Sequence, residues 1–144
     1  MFLFLSASAE SARGSVVEVP RWVTLEAIHR LENPRNLTRP GPRGELGPYQ
    51  FRPATWRMHT ALPFVRALDR RISDLVAVKH YDWLKRGLES ARLPPTPYYI
   101  ALAWNGGLSA AVAGTSPLRA REYAGRAANL AAVLDGRTVM APAR

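Results

Sequence analysis

The stretch "ENPRNLTRPGPRGELGPYQFRPATW", residues 32–56, decides how the chain is read. It opens on the carboxylate of Glu32, passes through a run of Pro, Gly and Arg, and closes on Gly47-Pro48-Tyr49-Gln50 and Pro53-Ala54-Thr55-Trp56. Such a segment is either a basic loop for an acidic polymer or the wall of an active site whose acid is Glu32. The residues before it, "TLEAIHRLEN" at 24–33, space Leu25, Ile28 and Leu31 as one helical stripe with Thr24 as N-cap. Asn33-Pro34 ends that helix, because a residue before proline is pushed out of the helical region. Glu32 therefore falls in the last turn, on the edge of the buried face. The negative end of the helix dipole and partial burial both favour the neutral carboxyl. A general acid working near neutral pH needs that shift. Glu26, expected in the first turn, is favoured as a charge and is chemically quiet. By itself a helix-terminal Glu is usually surface decoration, so the weight of Glu32 rests on the residues C-terminal to it.

Outward from this stretch, the chain reads as short helices separated by Pro/Gly punctuation. Residues 34–50 form a loop, and Pro53 opens a short helix through about 60. A longer helix starts at Ser73-Asp74 and carries Leu75, Val78, Leu84 and Leu88 at helical spacing. In "TPYYIALAWNGG", Thr96 is the cap, Pro97 the first position and Gly106-Gly107 the stop. "SPLRAREYAGRAANLAAVLDG" repeats this design, with Ser116 as cap, Pro117 first and Gly136 as terminator. Strand-like alternation is confined to "SVVEV" at 15–19, and there is no internal repeat. The expected fold is mainly α, in one domain.

Composition bounds the function. At 144 residues and 47% apolar content the chain can bury a core of its own. The net charge is +9, almost all of it arginine, since Lys79 and Lys85 are the only lysines. Such a balance favours anionic partners, whether nucleic acid, anionic lipid or an acidic wall polymer. Eight arginines lie between Arg35 and Arg71 against only Glu45 and Asp69, but they scatter over a loop and two helices. A nucleic-acid surface would interleave aromatics or gather the charge on one helix face, so no nucleic-acid partner is expected. With no cysteine, disulfides, zinc–thiolate sites and a thiol nucleophile are excluded. His29, His59 and His80 lack metal-ligand spacing, and no nucleotide-binding or Ser–His–Asp pattern occurs. No metal and no cofactor is expected. No apolar run is long enough to span a membrane. The start, "MFLFLSASAESARGS", reads either as a leader or as the remnant of a secretion signal with an Ala-x-Ala-like cleavage site.

In its order of residues the opening stretch resembles the signature of the lysozyme-like lytic transglycosylases that cut peptidoglycan. That pattern runs Glu-Ser-x-x-x-Pro, then Ser-x-x-Gly-Ala-x-Gly-Leu-Met-Gln, then x-x-Pro-x-Thr. Glu32 and Gln50 stand 18 positions apart, and Gly44, Gly47, Gln50, Pro53 and Thr55 fall on pattern positions. "ALAWNGG" at 101–107 resembles the family's Ala-x-x-Tyr-Asn-Ala-Gly, with Asn105 and Gly107 in place. "REYAGRAANL" is similar to its C-terminal Tyr-Val-x-x-Val motif and puts Tyr123 on the tyrosine. The three blocks keep the family's order over about 100 residues of the chain. The resemblance implies a single lysozyme-like domain of short helices around a glycan-binding cleft. It implies that Glu32 is the acid/base at the β-1,4 bond between N-acetylmuramic acid and N-acetylglucosamine. Gln50 would bond substrate near that bond, Asn105 would lie beside the acid, and Tyr123 would orient its carboxyl. The 6-hydroxyl of the muramic acid then displaces the leaving group and leaves a 1,6-anhydro ring.

The departures from the pattern carry information of their own. Asn33 replaces the serine after the acid, Pro48-Tyr49 replaces Leu-Met, and Trp104 replaces the tyrosine of the second block. Tyr49 and Trp104 suit stacking on sugar faces or packing in the core. Glu45 stands where the family has alanine. Facing Glu32, it would be the second carboxylate of a true hydrolase; turned to solvent, it would pair with Arg43 or another loop arginine. Asp69 and Asp74 are weaker candidates, better suited to capping or the helix surface. The alternative of another class is a catalytically silent module of the same fold that binds wall glycan or another polyanion. The expected organisation is a leader over 1–20, a catalytic domain over 21–136 and a frayed tail over 137–144. The protein is expected to be monomeric, periplasmic or secreted, and to act on peptidoglycan or a related N-acetylated glycan.

Overall fold

The computed structural model describes residues 18–136. Within them the chain is mainly helical, with six α-helices, one 3₁₀ segment and no strand. The helices are α1 (Arg21–Glu32), α2 (Pro53–His59), α3 (Arg70–Ser90), α4 (Pro97–Gly106), α5 (Leu108–Ala113) and α6 (Leu118–Leu134), and the 3₁₀ segment is Phe64–Leu68. The expected leader, apart from residues 18–20, the alternating segment 15–17 and the tail 137–144 lie outside the described residues. No helix among the described residues is long and apolar enough to cross a membrane.

Helix α4 is the centre of the fold. Its residues Ile100, Ala101, Leu102 and Ala103 are all buried, as expected for a helix that is apolar on every side. It packs most extensively on α6, which also carries α1, while α3 and α5 close the other sides. Helix α6 presents Ala120, Ala124, Ala127 and Ala131 as a buried row of small side chains. That row lets neighbouring backbones approach closely, and one large residue, Tyr123, projects from the same face. An aromatic cluster fills the space between α2, α3 and α4. Phe51 is its hub, with Tyr49, Trp56, His80 and Trp104 each within about 6 Å of its ring centre. Trp56 is fully buried and donates its indole N–H to the Leu62 carbonyl at 2.8 Å.

Several helix ends differ from the sequence expectation, each for a local reason. Helix α1 starts three residues before Thr24, directly after Pro20, so Thr24 is not the cap; it is buried inside the helix. Glu26 consequently sits mid-helix, where it pairs with Arg30 at 2.8 Å. Helix α3 starts at Arg70 and not at Ser73, because the Asp69 carboxylate accepts the Arg71 and Ile72 amides at 3.0 and 3.2 Å. Leu75, expected on the apolar stripe of this helix, is exposed. At α6 the cap is Pro117 and the helix begins one residue later than expected; the Ser116 hydroxyl is buried without a protein partner. Gly107 does stop α4, with φ 90°, but it also opens the short α5. Thr96 and Pro97 act as read, the Thr96 hydroxyl accepting from the Tyr99 amide.

The long connection between α1 and α2 is held by few, specific bonds. Asn33 is buried and donates its amide to the carbonyls of Leu37 and Gly47, while its own carbonyl accepts the Leu37 amide at 2.9 Å. Leu46 and Phe51 pair as a single antiparallel bridge, closing a tight turn over 47–50. Gly47 at φ +79° is required there, because a Cβ would lie 1.9 Å from the Ala67 carbonyl oxygen.

Candidate active site

The loop and α4 enclose a cleft of about 480 Å³ against the end of α1. Its walls include Glu32, Glu45, Gln50, Arg52, Thr55, His80, Trp104 and Asn105. Of the residues expected in the site, Glu32, Glu45, Gln50, Trp104 and Asn105 thus meet here from three separate segments. Tyr123 reaches the same place from behind: its hydroxyl donates to Glu32 Oε1 at 2.7 Å. Tyr49 does not join them. Its ring is buried among His29, Phe51 and Trp104, and its hydroxyl donates to Asp74 at 2.6 Å. It borders a different groove with Arg70 and Trp22, so its role is packing and not sugar stacking. The tight turn explains this: with Gln50 turned toward the cleft, its neighbour Tyr49 is directed into the core.

Glu32 closes α1, and its carboxyl is pushed above the usual carboxylate range. Burial is the main cause; the Tyr123 hydrogen bond opposes it, and the negative charge of Glu45 adds to it. The helix C-terminus acts in the same direction. Glu45 behaves in the opposite way. Burial pushes its carboxyl up, but the backbone N–H groups of Arg43 and of Glu45 itself, with the charges of Arg52 and Arg43, hold it below the usual range. The Arg43 amide donates to Glu45 Oε2 at 2.8 Å, and Arg52 Nε lies 3.8 Å from Oε1. The Glu45 side chain is 16% exposed. It lines the cleft and does not extend into solvent. One cleft therefore holds a carboxyl biased to the acid form and another biased to the anion, an arrangement that separates proton donor from fixed charge.

Gln50 adopts φ +49°, a left-handed conformation uncommon for a residue with a side chain. Its amide donates to the Gly47 carbonyl at 2.9 Å, which also receives Asn33. A Cβ on Gly41 would fall 2.5 Å from Glu45 Oε2 and 2.9 Å from Gln50 Oε1. Gly41 thus leaves room for both side chains. On the opposite wall, the Asn105 Oδ1 is buried and has no protein partner. An unmet acceptor of this kind is costly unless something bound to the cleft donates to it.

Sequence reasoning missed His80 and Arg52. His80 is buried, stacks on Trp83 (rings 5.8 Å apart, 13° between planes) and meets Trp104 edge-on at 4.7 Å. Its Nδ1 is 2.9 Å from His59 Nε2. Burial, with the neighbouring His59, pushes its pKa down to about 3, so the ring in the cleft wall is neutral. Its helical spacing from Leu84 and Leu88 was the available signal that it faces inward. Asp69 and Asp74 are absent from the cleft and serve as helix cap and as acceptor for Tyr49 and Arg70. Among the described residues, no group of His, Asp and Glu could hold a metal ion.

Comparison of the chain with family models, with curated proteins and with solved structures gives no match.

Proposed function

We propose that this protein is a lysozyme-like peptidoglycan lytic transglycosylase, with Glu32 as its general acid and base. The observation that carries the reading is the Glu32 carboxyl itself: pushed toward the acid form, held at 2.7 Å by Tyr123, and opening into a polar cleft. In the proposed reaction the Glu32 proton passes to the glycosidic oxygen as its bond to the muramic acid C1 breaks. The 6-hydroxyl of the same sugar then bonds to C1, and its proton goes to the Glu32 carboxylate. No water is consumed and the carboxyl ends as it began. Glu45, held as an anion, would stabilise positive charge building on the sugar ring. Asn105 Oδ1 is suited to the N–H of an N-acetyl group, and Trp104 supplies an apolar wall beside it.

A second reading is hydrolysis, with Glu45 activating water or attacking C1 directly. Its support is that Glu45 shares the cleft with Glu32 and is held ionised. Activity in the periplasm or outside the cell belongs to both readings, because the substrate is there. The test is clearing of purified peptidoglycan by wild type and by Glu32→Gln. Clearing by wild type alone is expected. Equal clearing by both would overturn the role of Glu32, and clearing by neither would favour a silent glycan-binding module.

A further inference from the structure

A second recess lies beyond His80. It is lined by Met58 and His59 of α2 and by Lys79, Asp82, Trp83 and Arg86 of α3. On α3, Lys79, Trp83 and Arg86 stand at i, i+4 and i+7, so they form one stripe along the helix. A single imidazole ring stands between the recess and the cleft. His80 borders the cleft, while Trp83 stacks on it and His59 bonds to it.

Trp83 and Met58 are 37% and 52% exposed, so apolar surface is left uncovered at this point. The charge around it is one-sided. Asp82, the acidic member, is engaged by Arg21 at 2.9 and 3.2 Å. Lys79 donates only to the His59 carbonyl, at 3.3 Å, and Arg86 has no hydrogen bond or ion pair among the described residues. A flat aromatic face flanked by two cations that no carboxylate engages among the described residues matches a pyranose ring that bears a carboxylate: the ring packs on the indole, and the acid meets Lys79 or Arg86. A neutral amino sugar has no group for either cation and is not held there.

We propose that the Met58–His59–Lys79–Trp83–Arg86 recess is a binding site for a carboxylate-bearing sugar unit, one that extends the cleft and selects acidic glycan over neutral glycan. The proposal rests on the glycan reading of the cleft. The carboxylate can be the sugar's own lactyl group or belong to a peptide stem attached to it; the chemistry read by the recess is the same.

The test uses the full chain carrying Glu32→Gln, so that bound glycan is not cut. Three probes are titrated: a neutral N-acetylglucosamine tetramer, a peptide-free tetrasaccharide of alternating N-acetylmuramic acid and N-acetylglucosamine, and the same tetrasaccharide with peptide stems. The indole N–H signals of Trp104 and Trp83 report on cleft and recess separately. The acidic probes are expected to move both signals and the neutral probe only that of Trp104. Lys79→Gln with Arg86→Gln should weaken the acidic probes about tenfold, the size of one charge-assisted hydrogen bond, and leave the neutral probe unchanged. Arg119→Gln with Arg121→Gln removes the same net charge elsewhere and should do neither. If the peptide-free probe responds as fully as the stem-bearing one, the lactyl carboxylate is the ligand; a response to stems alone assigns the stem. Movement of Trp104 without Trp83, or unchanged affinity in the Lys79/Arg86 variant, would overturn the recess while leaving the cleft reading intact. Failure of every probe to move either signal would overturn both.

Discussion

The hydroxyl of Tyr123 donates to the carboxyl of Glu32 at 2.7 Å, across a sequence separation of 91 residues. This bond ties the end of α1 to the middle of α6 and fixes one oxygen of the carboxyl, leaving the other for the cleft. It stabilises the ionised form, whereas burial and Glu45 oppose ionisation.

Those opposing influences give a paired prediction for pH dependence. Tyr123→Phe removes an interaction that lowers the Glu32 pKa, so the pKa rises and the alkaline limb of the activity profile moves to higher pH. Glu45→Gln removes an interaction that raises it, so the same limb moves to lower pH. Profiles of glycan cleavage for the two variants check this. Shifts in the same direction would contradict the arrangement.

Gly47→Ala should destabilise the fold by roughly 2–4 kcal/mol, because it combines a left-handed backbone position with a collision on the Ala67 carbonyl. The Gly47 carbonyl receives both Asn33 and Gln50, so local adjustment would also disturb the cleft. Urea unfolding measures the stability, and Gly44→Ala is the control: it shares the positive φ but has open space at its Cβ. The difference between the two isolates the collision.

Trp56→Ala should cost about 3–5 kcal/mol, as expected for a large buried aromatic. The Leu62 carbonyl loses its indole donor as well. Trp56→Phe retains most of the packing and should recover part of the loss in the same unfolding experiment.

His80 makes stability depend on acid. Its pKa falls from 6.5 to about 3 on folding, so the folded protein refuses a proton that the unfolded chain accepts. Stability is therefore full above pH 6.5 and declines as pH falls toward 3, by at most about 1.4 kcal/mol per unit. His59, which is also pushed down by burial and by the charges of Lys79 and Arg86, adds to the same slope. His80→Gln should flatten the decline, as read from urea midpoints across that range. An unaltered slope would place the acid sensitivity elsewhere.

Several elements that border the cleft were legible in the sequence because they rest on local rules. A helix stopped by Asn33-Pro34, the glycine-set turn before Gln50 and the Thr96-Pro97 start of α4 each follow from a few neighbouring residues. Tyr49 was not settled by the same means, since its direction depends on which way the four-residue turn over 47–50 faces the core. Thr24 and Ser116 have the composition of caps, yet tertiary packing extended one helix beyond the first and moved the other past the second. The inward direction of His80 could be read from its helical spacing to Leu84 and Leu88, but the recess beside Trp83 could not: it arises where α2 meets α3, a contact with no signature along the chain. Glu45 needed the fold to show that it lines the same cleft as Glu32 while its carboxylate is held by the Arg43 amide and Arg52.

The most direct measurement is the mass of fragments released from purified peptidoglycan. Wild type is expected to release fragments ending in a 1,6-anhydro ring, one water lighter than hydrolytic products, and Glu32→Gln to release none. Hydrolytic fragments from the wild type would contradict the transglycosylase chemistry. Undiminished release by Glu32→Gln would contradict the assignment of Glu32 itself.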